Sequence, residues 1–211
     1  GPLLGALQEQ LTDVQGPRVL PVGYVGRDPE LTTEEAERAG IREPVGEFTV
    51  AVGASGRAQS MIASLAGQFV PAGESFSMAD VAGTVSGDVS ADAVATALFN
   101  AAFESGAQGL VRTGRGVDGA QFPAGRDATA SADVGFRNDQ GTGLVIDASG
   151  GGGSVTVRLW GTREYTVRVS TAPRADLRRA ETRVVTSGGC TPDPGADGYT
   201  ARVTRVVQRG E

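Results

Sequence analysis

The sequence predicts an α+β fold in which a few helices in the N-terminal half pack on an antiparallel β-meander in the C-terminal half. Up to residue 106, apolar residues recur at helical spacing between short extended runs. Beyond that residue the apolar period changes from about 3.6 to about 2, which is typical of half-buried antiparallel strands. With 211 residues, of which 39% are hydrophobic, the chain is long enough to bury a core of its own.

The first predicted elements are strands that alternate with helices. The runs "RVLPVGYV" (18–25) and "GEFTVAV" (46–52) have the apolar content of strands. Between them, Thr32 precedes Glu35 at the spacing of a capping box, and Gly40 follows as a stop signal. This pattern predicts a short helix over "TTEEAERAG".

Two longer helices are predicted further along. The first covers "RAQSMIASLAGQ" (57–68), whose large apolar residues share one helical face. The second covers residues 92–105, with Ser90 as its N-cap and Gly106 as the glycine beyond its C-terminus.

The C-terminal half contains alternating runs that predict strands at residues 143–149, 154–161, 164–170, 180–187 and 199–208. The stretch "SGGGGS" (149–154) lies between the first two runs and predicts a glycine-rich hairpin tip. Cys190 lies in "GGCTPDPGADG", which predicts an exposed loop. No base is near this thiol in the sequence, so we predict that it is inert or paired with a cysteine outside the chain.

The missing residue types restrict the chemistry. Histidine is absent and all 19 basic residues are arginine, so neither an imidazole base nor a lysine nucleophile is available. A single cysteine cannot form a zinc cluster. Carboxylates, tyrosines, the thiol and an oxygen-ligated cation remain, and no cofactor or metal is predicted. A net charge of -6 argues against nucleic-acid binding, and no apolar stretch is long enough to span a membrane.

Three segments are predicted along the chain. Residues 1–17 open with Gly-Pro and are interpreted as a cloning scar followed by the tail of a preceding region. Residues 18–170 are predicted to form the α+β domain. Residues 171–211 are predicted to form a C-terminal β extension that packs on it.

Four motifs occur in a fixed order: "FVPAGESFSM", "VATALFNAAFESG", "FPAGRDATASADVGFRND" and "LVIDASGGGGSVTVRLWGT". Together they resemble the VanW family of Gram-positive extracytoplasmic proteins, and the resemblance extends over nearly the whole chain from about Arg18. Members of this family are associated with vancomycin-resistance loci and typically carry a membrane anchor upstream. The resemblance therefore implies an extracytoplasmic location, with the full-length protein membrane-anchored or wall-associated.

The resemblance also implies where a site would lie. Family members have a cysteine shortly before the segment matched by "VATALFN" and a histidine upstream of "GRDA", a pairing that lowers a thiol pKa. Counting along this chain places the cysteine on Asp92 and the histidine on Arg115. The resemblance thus implies a degenerate site that keeps a pair of opposite charges. We predict that the two side chains lie within salt-bridge reach or face one cleft.

Simpler roles are open for the same region. An aspartate in the first turn of a helix, such as Asp92, complements the helix dipole without any further role. Asp92, Thr96, Asn100 and Glu104 follow one another at intervals of four residues and form a polar line along an apolar helix. This line predicts either the border of a groove or hydrogen bonds to the backbone of the β-meander.

Arginines near this helix offer a binding surface. We predict that Arg112, Arg115 and Arg126 cluster near the head of the helix as a positive spot, which suits carboxylates or phosphates. The alternative is that they are solvated loop residues that balance nearby aspartates. Asp127 either belongs to the same site or accepts hydrogen bonds from the backbone of a turn.

The resulting functional prediction is a non-catalytic binding or structural module of the cell envelope, with peptidoglycan, a wall polymer or an envelope protein as its partner. Its predicted binding residues are Asp92, Asn100, Arg112, Arg115, Arg126 and Asp127. The alternative is a carboxylate-dependent hydrolase or transferase that acts on cell-wall material, with Glu74, Asp92, Asp118 and Asp127 as candidates. Two carboxylates in one cleft, one of them with a raised pKa, would favour the enzyme, and a flat or apolar patch without such a pair would favour the binding module.

Overall fold

The computed structural model describes residues 33–116, 121–182, 184 and 195–210. Within these residues the helices are α1 (Thr33–Arg38), α2 (Gly56–Leu65), α3 (Met78–Ala82) and α4 (Val89–Ser105). The strands are β1 (Glu43–Val50), β2 (Phe69–Val70), β3 (Ser75–Ser77), β4 (Gln108–Val111), β5 (Gly135–Arg137), β6 (Leu144–Gly151), β7 (Ser154–Gly161), β8 (Tyr165–Thr171), β9 (Ala175–Arg178), β10 (Gly198–Thr200) and β11 (Val203–Arg209). The α+β class is confirmed, because the helices precede residue 106 and the strands pair antiparallel.

The central sheet has the strand order β1-β7-β6-β2 and is antiparallel throughout. Strands β6 and β7 are joined directly, and their ladder closes with Gly151 opposite Ser154. Gly152 and Gly153 between them have φ values of 59° and 81°, which a two-residue hairpin turn requires and which glycine adopts without strain. The predicted glycine-rich hairpin tip is confirmed.

Helix α4 covers one face of this sheet and packs on β1 and β7. Its Val94 and Leu98 are fully buried, as are Val155, Val157 and Leu159 of β7. The helix comes unusually close to β1, because a Cβ atom at Gly46 would lie 2.1 Å from the carbonyl oxygen of Ala101. A bulge between Pro44 and Gly46 accompanies this approach. Glycine at position 46 therefore allows the close approach of α4, which carries Asp92 and Asn100 of the predicted site.

A second, three-stranded sheet has the order β3-β5-β4. Phe76 of β3 and Phe136 of β5 stack with ring centroids 5.4 Å apart. This sheet holds both ends of the segment between β4 and β5, because the chain leaves β4 at Val111 and returns at Gly135 of β5. The intervening segment carries Arg112, Arg115, Arg126 and Asp127.

The C-terminal strands form two separate two-stranded ribbons, β8–β11 and β9–β10, and do not extend the central sheet. The predicted strand at 180–187 is wrong for its described part, since residues 180–182 and 184 are exposed and outside any strand. The strand in this region is β9, which ends at Arg178. The predicted strand at 199–208 is divided between β10 and β11. Alternation favours a strand but does not ensure one, because pairing also depends on tertiary packing.

Several sequence predictions lie outside the described residues: the segment 1–17, the strand at 18–25, the candidate carboxylate Asp118 and Cys190. Thr32, the predicted capping residue of α1, is also outside the description. Helix α1 itself is confirmed, and Gly40 after it has a φ of 77° as expected for a helix stop.

Candidate functional site

The start of α4 is held by Asp88, whose carboxylate accepts hydrogen bonds from the backbone N–H groups of Ser90 (2.9 Å) and Ala91 (3.2 Å). The predicted N-cap at Ser90 is therefore wrong by two residues, because Asp88 has the extended backbone that a capping residue needs. Ser55, which itself caps α2, donates a hydrogen bond of 2.8 Å to the same carboxylate. This bond, with the two backbone bonds, lowers the pKa of Asp88 against the opposing effect of burial.

Asp92 lies one turn into α4, where its backbone N–H already bonds to the carbonyl of Asp88. Its Oδ2 lies 2.9 Å from Nε of Arg115, and the two side chains are only 14% and 10% exposed. Its Oδ1 accepts hydrogen bonds from the Thr129 hydroxyl (3.0 Å) and from the backbone N–H of Ala130 (2.8 Å). The predicted contact between Asp92 and Arg115 is confirmed, and both carboxylate oxygens are engaged.

The guanidinium of Arg115 also packs against the aromatic ring of Phe122. Its Cζ atom lies 3.9 Å from the centroid of the Phe122 ring, a cation–π contact. The backbone N–H of Arg115 donates a 2.7 Å hydrogen bond to Oδ2 of Asp127. Arg115 thus links Asp92 of the helix with Asp127 of the segment between β4 and β5.

The polar line of α4 continues this contact along the helix. The Thr96 hydroxyl bonds with both the N–H (2.9 Å) and the carbonyl (3.1 Å) of Ala128. Nδ2 of Asn100 donates to the carbonyl of Arg126 at 2.9 Å, and both Thr96 and Asn100 are fully buried. Glu104, at the end of the line, borders a groove, as one alternative predicts. For Thr96 and Asn100 the predicted partner in the β-meander is wrong. The partner is the backbone of residues 125–130, which we call the docked loop, and the β-strands take no part.

The arginines predicted to form a positive spot are engaged in the protein itself. Nη1 and Nη2 of Arg112 donate to the carbonyls of Asp127 and Gly125, each at 2.6 Å. Arg126 forms a 2.7 Å ion pair with Glu104 at the last turn of α4.

With the Asp92 pair and the Arg112–Asp127 approach of 3.8 Å, each of these three arginines has a carboxylate nearby. Their side chains are 26% exposed for Arg112, 10% for Arg115 and 14% for Arg126. They are therefore neither an unbalanced positive spot nor fully solvated.

The six predicted site residues are brought together around the docked loop. Asp92, Asn100, Arg112 and Arg115 bond to it from outside, and Arg126 and Asp127 belong to it. Asn100 is fully buried and donates to the loop from the side of the protein core, so it supports the docked loop from its buried side. A role in ligand binding stays a prediction for all six.

A cleft of about 550 Å³ opens beside the docked loop. One wall contains Arg112, Phe122 and Asp127, and the opposite wall is formed by residues 196–201, with Asp197 and Tyr199. Sequence analysis did not identify these last two residues. No local signal marks them, because they become part of a site only through the packing of the β9–β10 ribbon beside the loop.

The described residues contain no group of three cysteine or acidic side chains that could hold a metal ion together. Among the helices that the structure describes, none has the length and apolar character needed to cross a membrane.

Arg205 points from β11 towards the end of α4 and donates a 2.9 Å hydrogen bond to the carbonyl of Ala107. Burial lowers the pKa of this guanidinium.

Comparison with known families supports the resemblance over part of the chain. Residues 89–160 match a family model described as "VanW like protein". The matched region begins at α4 and ends on β7, so it includes Asp92, Arg115 and the docked loop but excludes Asp197 and Tyr199. No curated protein and no solved structure matches the chain.

Proposed function

We propose, taking residues 89–160 as a VanW-like region, that the chain is a non-catalytic binding module of the bacterial cell envelope. Its ligand would be peptidoglycan, a wall polymer or an envelope protein, and its location extracytoplasmic. The proposed binding site is the cleft between the docked loop and residues 196–201.

The observation that carries this proposal is the state of Asp92 and Arg115. At the two positions where the resemblance implies a thiol and an imidazole, the chain has an ion pair of 2.9 Å. Asp92 accepts from Arg115, Thr129 and Ala130, so its oxygens are used to hold the docked loop. A carboxylate committed in this way holds a loop in position, and because three of its roughly four acceptor sites are occupied, its geometry argues against a role as nucleophile or base.

Binding to purified sacculi tests the proposal directly. Ala196 is exposed on the rim of the cleft, so Ala196→Trp fills the cleft without disturbing the core. The matched control is Ala51→Trp, at an exposed bend after β1 that lies outside the cleft. We expect the unmodified chain and the control to sediment with sacculi and Ala196→Trp to remain in solution. Failure of all three proteins to sediment, together with no capture of an envelope protein, would refute the proposal.

Thiol chemistry is tested separately. We expect that neither a thiol alkylator nor Cys190→Ser changes binding to sacculi, because the proposed cleft is lined by described residues that include no cysteine. Release of soluble wall fragments that disappears after either treatment would show a thiol-dependent enzyme and overturn the non-catalytic assignment.

A carboxylate-dependent hydrolase or transferase is the second candidate, because Asp127 and Asp197 line one cleft. Each carboxylate already accepts a backbone N–H, Asp127 from Arg115 at 2.7 Å and Asp197 from Ala180 at 2.9 Å. An assay for soluble fragments released from sacculi distinguishes the two candidates. Turnover that both Asp127→Asn and Asp197→Asn abolish would favour the enzyme, and binding without turnover would favour the module.

A further inference from the structure

We infer that the cleft binds a neutral, polyhydroxylated ligand, which is the glycan part of a wall polymer and neither its peptides nor its phosphates. The inference rests on the proposed function and specifies the chemistry of its ligand. It rests on which polar and aromatic groups line the cleft, and on which of these groups already contact other residues within the protein.

An anionic ligand does not fit the charges of the cleft. Arg112 is the basic residue of the lining, and both of its Nη atoms donate to loop carbonyls at 2.6 Å. Asp127 and Asp197 line the same space, so the described residues of the lining present two carboxylates against one guanidinium. Among these residues a phosphate or carboxylate would meet two like charges and one cation, two of whose N–H groups are already bonded to loop carbonyls.

A cationic ligand fits no better, because the aromatic rings of the cleft already face cations. Arg115 lies 3.9 Å from the centroid of Phe122, and Arg174 lies 4.0 Å from the centroid of Tyr199. Each of these internal contacts occupies one face of its ring, so an ammonium group could approach only the other face. The contacts also place positive charge next to both rings.

The remaining chemistry is that of a hydroxyl group, which donates and accepts at once. Oδ1 of Asp127 is 3.8 Å from Arg112 Nη1, too far for a hydrogen bond, and is an acceptor for a ligand hydroxyl. The planar Asp and Arg groups of the lining can each contact two adjacent hydroxyls, and guanidinium has five N–H donors of which the loop carbonyls use two.

The apolar part of the lining fits the carbon face of a sugar ring. Phe122, Pro123 and Tyr199 lie between the polar groups, and Tyr199 carries a polar hydroxyl on an apolar ring. The volume of about 550 Å³ is within the range of about 300–1,000 Å³ typical of small-ligand pockets. A short oligosaccharide is a ligand of this size and mixed polarity.

Titration of the whole chain with a soluble oligomer of N-acetylglucosamine tests the inference, with free stem peptide and a polyphosphate as comparison ligands. Backbone amide shifts are read by NMR at Gly114, Gly116 and Gly198, which line the cleft. We expect the glycan alone to shift these amides. We also expect its Kd to change by less than about twofold between low and high salt, because no ion pair forms.

Variants determine whether the cleft is responsible. Ala196→Trp and Tyr199→Leu should each weaken glycan binding by about tenfold or more, since one blocks the cleft and the other removes an aromatic contact. Ala51→Trp and Asp80→Asn, both at exposed positions outside the cleft, should leave the Kd unchanged. A circular-dichroism melting curve for each variant confirms that it is folded.

Each other outcome overturns the inference. Binding of stem peptide or polyphosphate in place of glycan, or glycan binding that Ala196→Trp leaves intact, refutes the glycan assignment while the chain still sediments with sacculi. Absence of sedimentation with sacculi, together with no capture of an envelope protein, refutes the proposed function itself. The two failures are therefore distinguishable.

Discussion

Two regions of this chain use polar side chains in opposite ways. Along α4 and the docked loop, polar groups are buried and bonded to one another, and Thr96 and Asn100 have no exposed surface. In the β8–β11 and β9–β10 ribbons, side chains are half-buried or exposed, and Leu177 of β9 is 72% exposed. The cleft lies between these regions, so one of its walls is held by buried hydrogen bonds and the other by surface contacts.

The ribbons depend on a few contacts with the main body, because a two-stranded ribbon is marginally stable alone. Arg205 of β11 bonds to the carbonyl of Ala107 and lies 5.0 Å from the Phe103 ring. Gly125 of the docked loop lies directly against Ala201 and Val203. The contact at Gly125 lies at the cleft itself, because Gly125 and Ala201 both line it.

Breaking the buried ion pair should have the largest effect on stability. Asp92→Ala removes the acceptor for Arg115, for the Thr129 hydroxyl and for the Ala130 N–H. It also leaves a mostly buried guanidinium without its carboxylate. We expect the free energy of unfolding to fall by about 3 kcal/mol, as measured by urea denaturation.

The ribbons supply the matched control for this prediction. Arg209 of β11 forms a 3.1 Å ion pair with Glu164, and its side chain is 73% exposed. Arg209→Ala should lower the free energy of unfolding by about 0–1 kcal/mol, because water and salt screen an exposed pair. If Asp92→Ala and Arg209→Ala lowered the free energy of unfolding equally, the ion pair of the ribbon would stabilise the protein as much as the buried pair at α4, which would contradict the difference between the two regions.

The junction between the regions is probed by two glycines with the same backbone conformation. Gly125 and Gly116 have φ values of 74° and 72°. A Cβ at Gly125 would lie 3.1 Å from Val203 and 3.2 Å from Ala201, whereas a Cβ at Gly116 would have no atom within 4 Å. Alanine costs about 1–2 kcal/mol at either position for the left-handed backbone, and we expect Gly125→Ala to cost about 1 kcal/mol more because of crowding.

Hydrogen exchange identifies where the additional cost arises. Gly125→Ala should accelerate amide exchange in β11, which carries Val203, and should leave exchange in β6 and β7 unchanged. Gly116→Ala should not alter exchange in β11. Exchange that increases equally in β11 for both variants would contradict a specific contact between the docked loop and the ribbon.

The smallest predicted effect is the pH dependence of the cap on α4. The lowered pKa of Asp88 comes first from the Ser55 hydroxyl and then from backbone N–H groups. A carboxyl with a lowered folded pKa stabilises above its unfolded value of about 3.9 and loses this contribution as the pH falls through the folded pKa. Asp88→Ala should therefore cost about 0.5–1 kcal/mol near neutral pH and less at an acidic pH below the folded pKa. Urea denaturation of both proteins at the two pH values measures it, and a cost that does not shrink in acid would contradict the ionised cap.

Several features of the site were predictable from local patterns. The helical period up to Ser105 and the glycine at 106 predicted α4, and Gly106 has a φ of 95°. The resemblance predicted the contact between Asp92 and Arg115. Spacing in fours along the helix identified Thr96, Asn100 and Glu104 as one line, because residues four apart share a helix face.

Other features were not predictable, because they depend on which distant segments become neighbours. The N-cap at Asp88 depends on Ser55, which is 33 residues away in sequence. The partner of the polar line is a loop 26 to 38 residues further along the chain, and nothing in the helix specifies it. Alternation near residue 180 predicted a strand that the described residues 180–182 and 184 do not form, because strand pairing depends on tertiary neighbours as well as on alternation.

The sequence by itself determined the α+β class, the long buried helix, the hairpin at the glycine-rich tip and the absence of any histidine or lysine for catalysis. These depend on residue type and on short-range periodicity, both of which can be read along the chain. Only the tertiary structure decided that the arginines bond inward and that Asp197 and Tyr199 face the docked loop. A cleft is a gap between surfaces, and its lining follows from packing between segments that local propensities do not specify.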